Sequence, residues 1–199
     1  MMSMEAAQPL IDYFQKIVPL TENEQQWVSE CFKPRLYRKR QFVLQEGDVC
    51  KYFNFVVRGC LRMYKIDDKG VIHILQFASE NWWINDNDSF HSNLPSELNI
   101  DALEDTMVLQ INLQDLTYLY KKSRKFNLIF RVLLEKAYAT LQQRLLQNIS
   151  STAQSRYLSF VEKYPHLLNR LPQTQIAAYL GITPEFLSRI KSEMLKNDR

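Results

Sequence analysis

The spacing of apolar residues along the chain predicts helices at both ends and short strands between them. Residues 10–18 and 20–32 have helical spacing, and Thr21 and Glu24 have the spacing of a capping box at the start of the second of these helices. From residue 37 to residue 113, apolar and polar residues alternate over short runs, which is typical of strands. Helical spacing then returns in residues 114–121, 126–149 and 151–164.

The run of short strands predicts a small antiparallel barrel or jelly roll. Three turn signals separate the strands: Gly47-Asp48, Arg58-Gly59 and residues 67–70. The order in which the strands pair does not follow from such local signals. The basic segment at residues 33–40 contains Pro34 and precedes an alternating run, so we interpret it as a solvated segment that leads into an edge strand.

Residues 173–194 have the spacing of a helix-turn-helix. One face of the first helix is apolar, with Ile176, Ala177 and Leu180. Gly181 then provides the left-handed residue that ends this helix. Thr183 is a good N-cap for the second helix, Pro184 suits its first position, and Glu185 lies at the positive end of its dipole. An ordinary helical hairpin with a solvated face is the alternative.

The second helix offers polar side chains on its outer face. Its inward positions are expected to be Phe186 or Leu187, then Ile190 and Met194. An exposed arginine can form two hydrogen bonds to guanine O6 and N7, and a glutamate can accept one from cytosine N4. The helix therefore predicts a DNA-binding surface made of Thr183, Pro184, Glu185, Ser188, Arg189 and Ser192.

Charge is distributed unevenly over the 199 residues, and this supports a nucleic-acid partner. Residues 121–199 hold 14 Lys and Arg against 5 Asp and Glu, whereas residues 1–120 hold 11 against 17, which gives net charges of +9 and −6. No apolar run approaches the ~20 residues needed to cross a bilayer, and the N-terminus lacks the features of a signal peptide. We therefore expect a cytoplasmic protein without a membrane partner. The three widely spaced cysteines suggest no disulfide framework.

The segment IAAYLGITPEFLSRI resembles the DNA-reading element of the Crp/Fnr family of bacterial transcription regulators, with Glu185 and Arg189 matching that family's base-contacting pair. Pro184 departs from the family pattern, which often has arginine there. Family members usually continue into a small β-wing, whereas only residues 195–199 follow here. Two earlier segments, QEGD and VVRGCLRMY, resemble the Gly turns of the family's cyclic-nucleotide-binding β-roll. The resemblance implies DNA and a second copy of the chain as partners, with RNA polymerase as a further candidate.

The resemblance places an effector pocket in residues 82–105. Cyclic-nucleotide binders of the family have Gly-Glu for the ribose and Arg followed by Ser or Thr for the phosphate, whereas this chain has Asn85-Asp86 and Ser96-Glu97 at those places. An acid beside a missing phosphate clamp disfavours a cyclic phosphate, so we do not expect cyclic AMP. A changed pocket for an unknown small-molecule effector would involve Trp82, Trp83, Asp86, Ser96 and Glu97, with one of the adjacent tryptophans facing inward and one outward.

Other cofactors and catalytic groups are not expected. Iron–sulfur members of the family need four cysteines, and His73, although comparable to the haem ligand of carbon-monoxide sensors, is interpreted as a strand-surface residue. Asp86-x-Asp88 begins like a calcium loop but lacks the later ligands. The remaining histidines form no cluster. We therefore expect no metal, no catalytic residue and no enzymatic activity.

The helix at residues 126–149 has two apolar rows. One contains Phe126, Phe130, Leu133 and Ala137, and the other contains Leu134, Tyr138, Leu141 and Leu145. Two rows suggest that one packs on the chain's own β-roll and the other on a partner helix, and in the resembled family this is the dimer helix. The predicted dimer helix thus includes Phe130, Leu133, Leu134, Tyr138, Leu141 and Leu145. A purely intramolecular helix is the alternative.

Together these observations predict an α+β fold with an N-terminal, jelly-roll-like antiparallel β-roll, flanking helices and a long dimerisation helix in residues 1–149. A C-terminal all-α helix-turn-helix domain follows in residues 150–199. The expected function is that of a dimeric transcription regulator that reads a palindromic operator. Two alternatives remain at this point: a metal-binding or enzymatic β-barrel with a helical appendage, and the same fold acting as a protein-interaction module without DNA binding.

Overall fold

Two four-stranded sheets form the middle of the chain, and helices precede and follow them in the structure, a computed structural model that describes residues 4–197. The strands are β1 (Lys33–Tyr37), β2 (Phe42–Leu44), β3 (Phe53–Arg58), β4 (Leu61–Ile66), β5 (Ile72–Ala78), β6 (Trp83–Ile84), β7 (Asn99–Ala102) and β8 (Thr106–Ile111). The α-helices are α1 (Met4–Gln15), α2 (Glu22–Cys31), α3 (Asn87–Ser92), α4 (Leu113–Lys122), α5 (Arg124–Ser150), α6 (Ala153–Lys163), α7 (Gln173–Leu180) and α8 (Pro184–Asn197). A 3-10 helix spans Pro165–Leu167.

The strand order is β1-β8-β3-β6 in one sheet and β2-β7-β4-β5 in the other. Most neighbours are far apart in sequence: Lys33 pairs with Gln110, and Leu61 pairs with Ala102. The predicted antiparallel β-roll is confirmed. Both β1 and β2 lie at sheet edges. The basic segment at residues 33–40 leads into the edge strand β2, as expected, but its residues 33–37 also form the edge strand β1, which was not predicted.

The predicted capping chemistry identifies the start of α2 correctly but not the bounds of α1. The Thr21 hydroxyl accepts a hydrogen bond from the Glu24 backbone N–H at 3.3 Å, and the Glu24 carboxylate accepts one from the Thr21 backbone N–H at 2.8 Å. This capping box confirms the predicted start of α2. The prediction for α1 is wrong at both ends, since α1 begins at Met4 and ends at Gln15. A turn at Ile17 and Val18, both of which donate to the Phe14 carbonyl, leads from α1 toward α2.

One helix was not predicted. Residues 87–92 form α3 because the Asp86 side chain caps it, accepting hydrogen bonds from the backbone N–H groups of Asp88 and Ser89 at 3.1 and 3.3 Å. The aspartates that begin like a calcium loop are therefore the start of a short helix.

The residues of the chain form two compact units. Within the described residues, the first comprises residues 4–65 and 76–135, and the second comprises residues 66–75 and 136–197. The predicted division after residue 149 coincides with the end of α5 at Ser150, whereas contacts divide the chain inside that helix. The apolar core of the first unit includes α5 residues only as far as Leu133. The division into two functional domains remains a prediction.

Aromatic side chains dominate the core of the first unit. The ring of Trp83 stacks on Phe14 at 6.0 Å between centroids and lies 4.8 Å from Phe53 and 5.7 Å from Phe130. Trp82 is also partly buried against this core. The expectation that one of the two tryptophans faces outward is therefore wrong, because Trp82 precedes the two-residue strand β6 and the strict alternation of a strand does not apply to it.

The second unit is held by aromatic packing between α6 and α7. Phe160 lies 5.4 Å from Tyr179, and Tyr164 lies 6.2 Å from the same ring. Further buried residues of this unit are Tyr157, Leu167, Leu171, Ile176, Ala177, Leu180, Leu187 and Ile190. No helix of the described residues 4–197 has both the length and the apolar character needed to cross a membrane.

Candidate nucleic-acid interface

The turn between α7 and α8 has the hydrogen bonds that the sequence predicts. Gly181 has φ +67°, and the backbone N–H of Ile182 donates to the Ala177 carbonyl at 3.1 Å, which closes the end of α7. The Thr183 hydroxyl accepts from the backbone N–H of Phe186 at 3.2 Å, so Thr183 caps α8. Pro184 is the first residue of α8. The predicted helix-turn-helix is therefore present.

The two faces of α8 differ as the apolar spacing predicts. Leu187 and Ile190 are buried, whereas Phe186 is 39% exposed, so Leu187 takes the inward position for which both were considered. The predicted DNA-binding residues all lie on the exposed face: Thr183, Pro184, Glu185, Ser188, Arg189 and Ser192. Whether these residues contact DNA remains a prediction.

Glu185 and Arg189 are exposed one turn apart on α8. Neither forms an ion pair within residues 4–197, so their charged ends are available to another molecule. The guanidinium carbon of Arg189 lies 5.4 Å from the ring centre of Phe186. The ring of Phe186 therefore lies beside the Arg189 side chain. The sequence analysis did not identify this contact, although residues three positions apart, such as 186 and 189, are neighbours on a helix surface.

The structure brings together only part of the predicted effector pocket. The Ser96 hydroxyl donates to the Asp86 carboxylate at 2.6 Å, and Ser96 is buried. The exposed carboxylate of Glu97 takes no part in this hydrogen bond and instead accepts one from Lys65 at 2.7 Å. The hydrogen bond and the charge of Lys65 lower the pKa of Glu97. Trp83 belongs to the aromatic core described above.

Two basic residues near this segment are held by carboxylates. The guanidinium of Arg62 donates twice to Asp101, with Nε to Oδ1 at 2.7 Å and Nη2 to Oδ2 at 2.8 Å. Burial alone would lower the pKa of Arg62, but the hydrogen bonds and charge of Asp101 outweigh it and raise the pKa. Lys65 is bonded to Glu97. Both Arg62 and Lys65 are therefore already paired with carboxylates of the β-roll.

His73 lies in β5 with an exposed side chain, and its Nε2 is 2.8 Å from the Asp67 carboxylate. The hydrogen bond with His73 is the main reason why the pKa of Asp67 is lowered. Among the described residues, no three His, Cys, Asp or Glu side chains are grouped so as to hold a metal ion.

The two apolar rows of the long helix α5 differ in solvent exposure. Phe126, Phe130 and Leu133 lie in the core of the first unit. The second row is solvent-exposed at 58–65%, and consists of Leu134, Tyr138, Leu141 and Leu145. Ile149 continues this row at 76% exposure. Ala137, expected in the buried row, is exposed because that row leaves the core after Leu133.

Part of the sequence matches a known domain family, and the structure of the chain is similar to solved structures of other proteins. Residues 34–123 match the family described as cyclic nucleotide-binding domain. FixK2 from Bradyrhizobium japonicum has 21% identity and a TM-score of 0.73, with 84% of this chain and 86% of that chain covered. The c-di-GMP-responsive global regulator CLP from Xanthomonas campestris has 14% identity and a TM-score of 0.68, with 89% and 93% covered. A protein from Eubacterium rectale assigned to the crp/fnr family of transcriptional regulators has 18% identity and a TM-score of 0.68, with 94% and 88% covered.

These similarities define the class of the protein by its fold. Residues 34–123 match the family model of the cyclic nucleotide-binding domain, and the chain shares the fold of solved transcription regulators over most of its length. The fold is that of Crp/Fnr-type regulators, so the resemblance drawn from the sequence is confirmed. No curated protein matches the sequence.

Proposed function

We propose that this chain is a DNA-binding transcription regulator of the Crp/Fnr type and that it reads a palindromic operator as a homodimer through α8. The observation that carries the proposal is the capped, exposed start of α8, where Glu185 and Arg189 face outward without an ion pair in the described part of the chain. A helix that presents such side chains from its first turns has the geometry of a major-groove reader.

The chemistry of base reading assigns a role to each charged side chain. Arg189 donates two hydrogen bonds to guanine O6 and N7, and Glu185 accepts one from cytosine N4. Thr183, Ser188 and Ser192 suit phosphate or base contacts of lower specificity. Pro184 has no side-chain donor, so the contact that an arginine makes at this position in other family members is absent here.

The exposed apolar row of α5 supplies the proposed dimer contact. Leu134, Tyr138, Leu141 and Leu145 recur at spacings of four, three and four residues, which is the seam pattern of paired helices. At about 1.5 Å per residue, the exposed row from Leu134 to Ile149 extends over about 22 Å of α5, or about four helical turns. A two-fold axis through such a pair would place the two α8 helices on half-sites about 34 Å apart.

The β-roll is proposed to function without cyclic AMP and without a bound cofactor. Since carboxylates occupy Arg62 and Lys65 and no arginine stands at position 96, we infer that the β-roll does not bind cyclic AMP. We also propose that the chain acts in the cytoplasm, catalyses no reaction and contains no haem or iron–sulfur cluster. RNA polymerase and an unidentified small-molecule effector are the remaining candidate partners.

Selection of bound fragments from a random DNA pool by the purified protein tests this function directly. We expect enrichment of an inverted repeat whose half-site centres are about 10 base pairs apart. The affinity for the selected site should fall steeply as salt rises, because phosphate contacts release counterions. Recovery of unenriched DNA at low salt would contradict sequence-specific binding, and failure to retain any DNA would favour the protein-interaction alternative.

A further inference from the structure

A small cavity in the second unit is lined by cationic side chains. It lies between α5, α6 and α7 and has a volume of about 50 Å³. Its cations are Arg144, Arg156 and Lys163, and Gln147 and Ser159 add polar groups. No Asp or Glu of the described residues lines it. By the usual measure, the cavity has several times the room that one water needs.

The charge of Arg144 is not neutralised by any carboxylate in the described part of the chain. Its guanidinium donates hydrogen bonds to the backbone carbonyls of Ile74, Leu75 and Tyr179, the last at 3.2 Å. The guanidinium carbon also lies 4.1 Å from the ring centre of Tyr179. Carbonyl and ring dipoles orient this cation, but they leave its full positive charge in a partly buried place.

Arg156 and Lys163 extend this pattern. Arg156 donates from Nε to the Leu180 carbonyl at 3.3 Å and from Nη1 to the Ser151 carbonyl at 2.8 Å. Although Lys163 is exposed as a whole, partial burial of its ammonium group lowers its pKa, and the nearby charge of Arg144 lowers the pKa further. Burial likewise lowers the pKa of Arg144. Three cations therefore surround one cavity, and their mutual repulsion would be relieved by an anion.

We propose that this cavity is a binding site for a tetrahedral oxyanion, either inorganic phosphate or the phosphate group of a small nucleotide. A guanidinium and an ammonium are strong charge-assisted donors to phosphate oxygens, and the Gln147 amide and Ser159 hydroxyl supply neutral donors beside them. None of the residues that line the site belongs to a strand of the β-roll, and none is proposed to contact DNA. The proposal therefore does not depend on the proposed function.

Calorimetric titration of the full chain tests this site. Inorganic phosphate and adenosine monophosphate are titrated separately, with chloride replaced so that the ionic strength stays constant. The test variant is Lys163→Gln, since Lys163 is exposed and forms no ion pair within residues 4–197. Loss of one charge-assisted contact should weaken phosphate binding about tenfold. The control is Lys121→Gln, which removes an exposed lysine of α4 and should bind like the wild type.

The affinities of the two anions for the wild type and for Lys163→Gln identify the ligand of this cavity. Tighter binding of inorganic phosphate supports a free oxyanion as the ligand, and tighter binding of adenosine monophosphate supports a nucleotide, provided that Lys163→Gln weakens the binding in either case. Arg156→Gln should weaken it as well. Absence of binding by both anions, or equal binding by the wild type and Lys163→Gln, would overturn the proposal.

Discussion

The hydroxyl of Ser96 donates a hydrogen bond of 2.6 Å to the carboxylate of Asp86. The sequence resemblance predicts that these two residues take the positions at which cyclic-nucleotide binders of that family have groups for the phosphate and the ribose. In this chain the two positions are bonded to each other, and Asp86 also caps α3. An anion placed here would meet the charge of Asp86 and would compete with an existing hydrogen bond.

Cyclic nucleotides should therefore leave the protein unchanged. Without a bidentate arginine, roughly 3 kcal/mol or more of binding free energy should be missing. We expect no heat in calorimetry and no shift in melting temperature with millimolar cyclic AMP or cyclic GMP, and DNA binding that is independent of both. Micromolar affinity would show that Arg62 or Lys65 leaves its carboxylate to reach the phosphate.

The reverse substitution provides the complementary test. Ser96→Arg combined with Glu97→Ser should create measurable affinity for cyclic AMP, because it restores the missing guanidinium and removes an acid. The new arginine would face Asp86, so adding Asp86→Asn should raise the affinity further. If neither variant binds the nucleotide while both melt like the wild type, the pocket differs from the family's in more than these side chains.

Arg189→Ala should lose about 1 to 3 kcal/mol at the selected operator and relax the base preference at one position in each half-site. Competition binding against operators with single base changes measures both effects. Arg131→Ala, which removes another exposed arginine, is the control for loss of charge and should leave the preference unchanged. Equal loss on operator and random DNA would instead identify Arg189 as a phosphate contact.

Glu185→Ala should alter base preference more than affinity.

Leu141→Asp should convert the proposed dimer into monomers that bind DNA weakly. Leu141 is 65% exposed in the middle of the apolar row, and a carboxylate there would have to be buried in the seam. Sedimentation velocity at micromolar concentration measures the change. Leu36→Asp is the matched control, since Leu36 is 67% exposed but lies in β1. A wild-type protein that sediments as a monomer would refute the dimer itself.

Glu24 should make stability depend on pH below the ordinary carboxyl range. Burial would raise the pKa of Glu24, but hydrogen bonds outweigh it and lower the pKa from 4.5 to about 2. The donors are Lys125 Nζ at 2.8 Å, Ser123 Oγ at 2.7 Å and the Thr21 backbone N–H at 2.8 Å. A lowered pKa in the folded state stabilises it above the unfolded pKa, and this stability is lost as pH falls from 4.5 to about 2.

Glu24→Gln should therefore lower the free energy of unfolding by about 2 kcal/mol at pH 7 and by progressively less as the pH approaches the folded pKa. Urea unfolding at pH 7 and at low pH compares the variant with the wild type. Glu22→Gln changes an exposed acid in the same first turn and serves as the control. A difference that stayed constant with pH would mean that packing, not ionisation, is what the substitution removes.

The sequence predicts those parts of the molecule whose signals are local. The Thr21 capping box, the Gly181 turn and the Thr183 cap each depend on residues within four positions of one another. The two rows of α5 follow from helical spacing in the same way. Such features form from short-range chemistry, so the chain alone was sufficient to locate them.

Other parts depend on residues that are far apart in sequence. The pairing of Arg62 with Asp101 requires β4 beside β7, and no local signal sets that strand order. The cavity at Arg144 forms only when α5, α6 and α7 meet. The sequence does not reveal the Asp86 cap, because α3 has only six residues and so has little helical periodicity to mark where it begins.

The exposed row of α5 has a consequence for gene dosage. If two chains must pair before an operator can be occupied, the concentration of the active species rises with the square of the chain concentration as long as most chains are single. A twofold change in synthesis then becomes an about fourfold change in active regulator. The exposed row of α5, made of Leu134, Tyr138, Leu141 and Leu145, would thus set the number of chains per cell above which the operator is occupied. Substitutions that weaken the row would change this number without altering which DNA sequence is read.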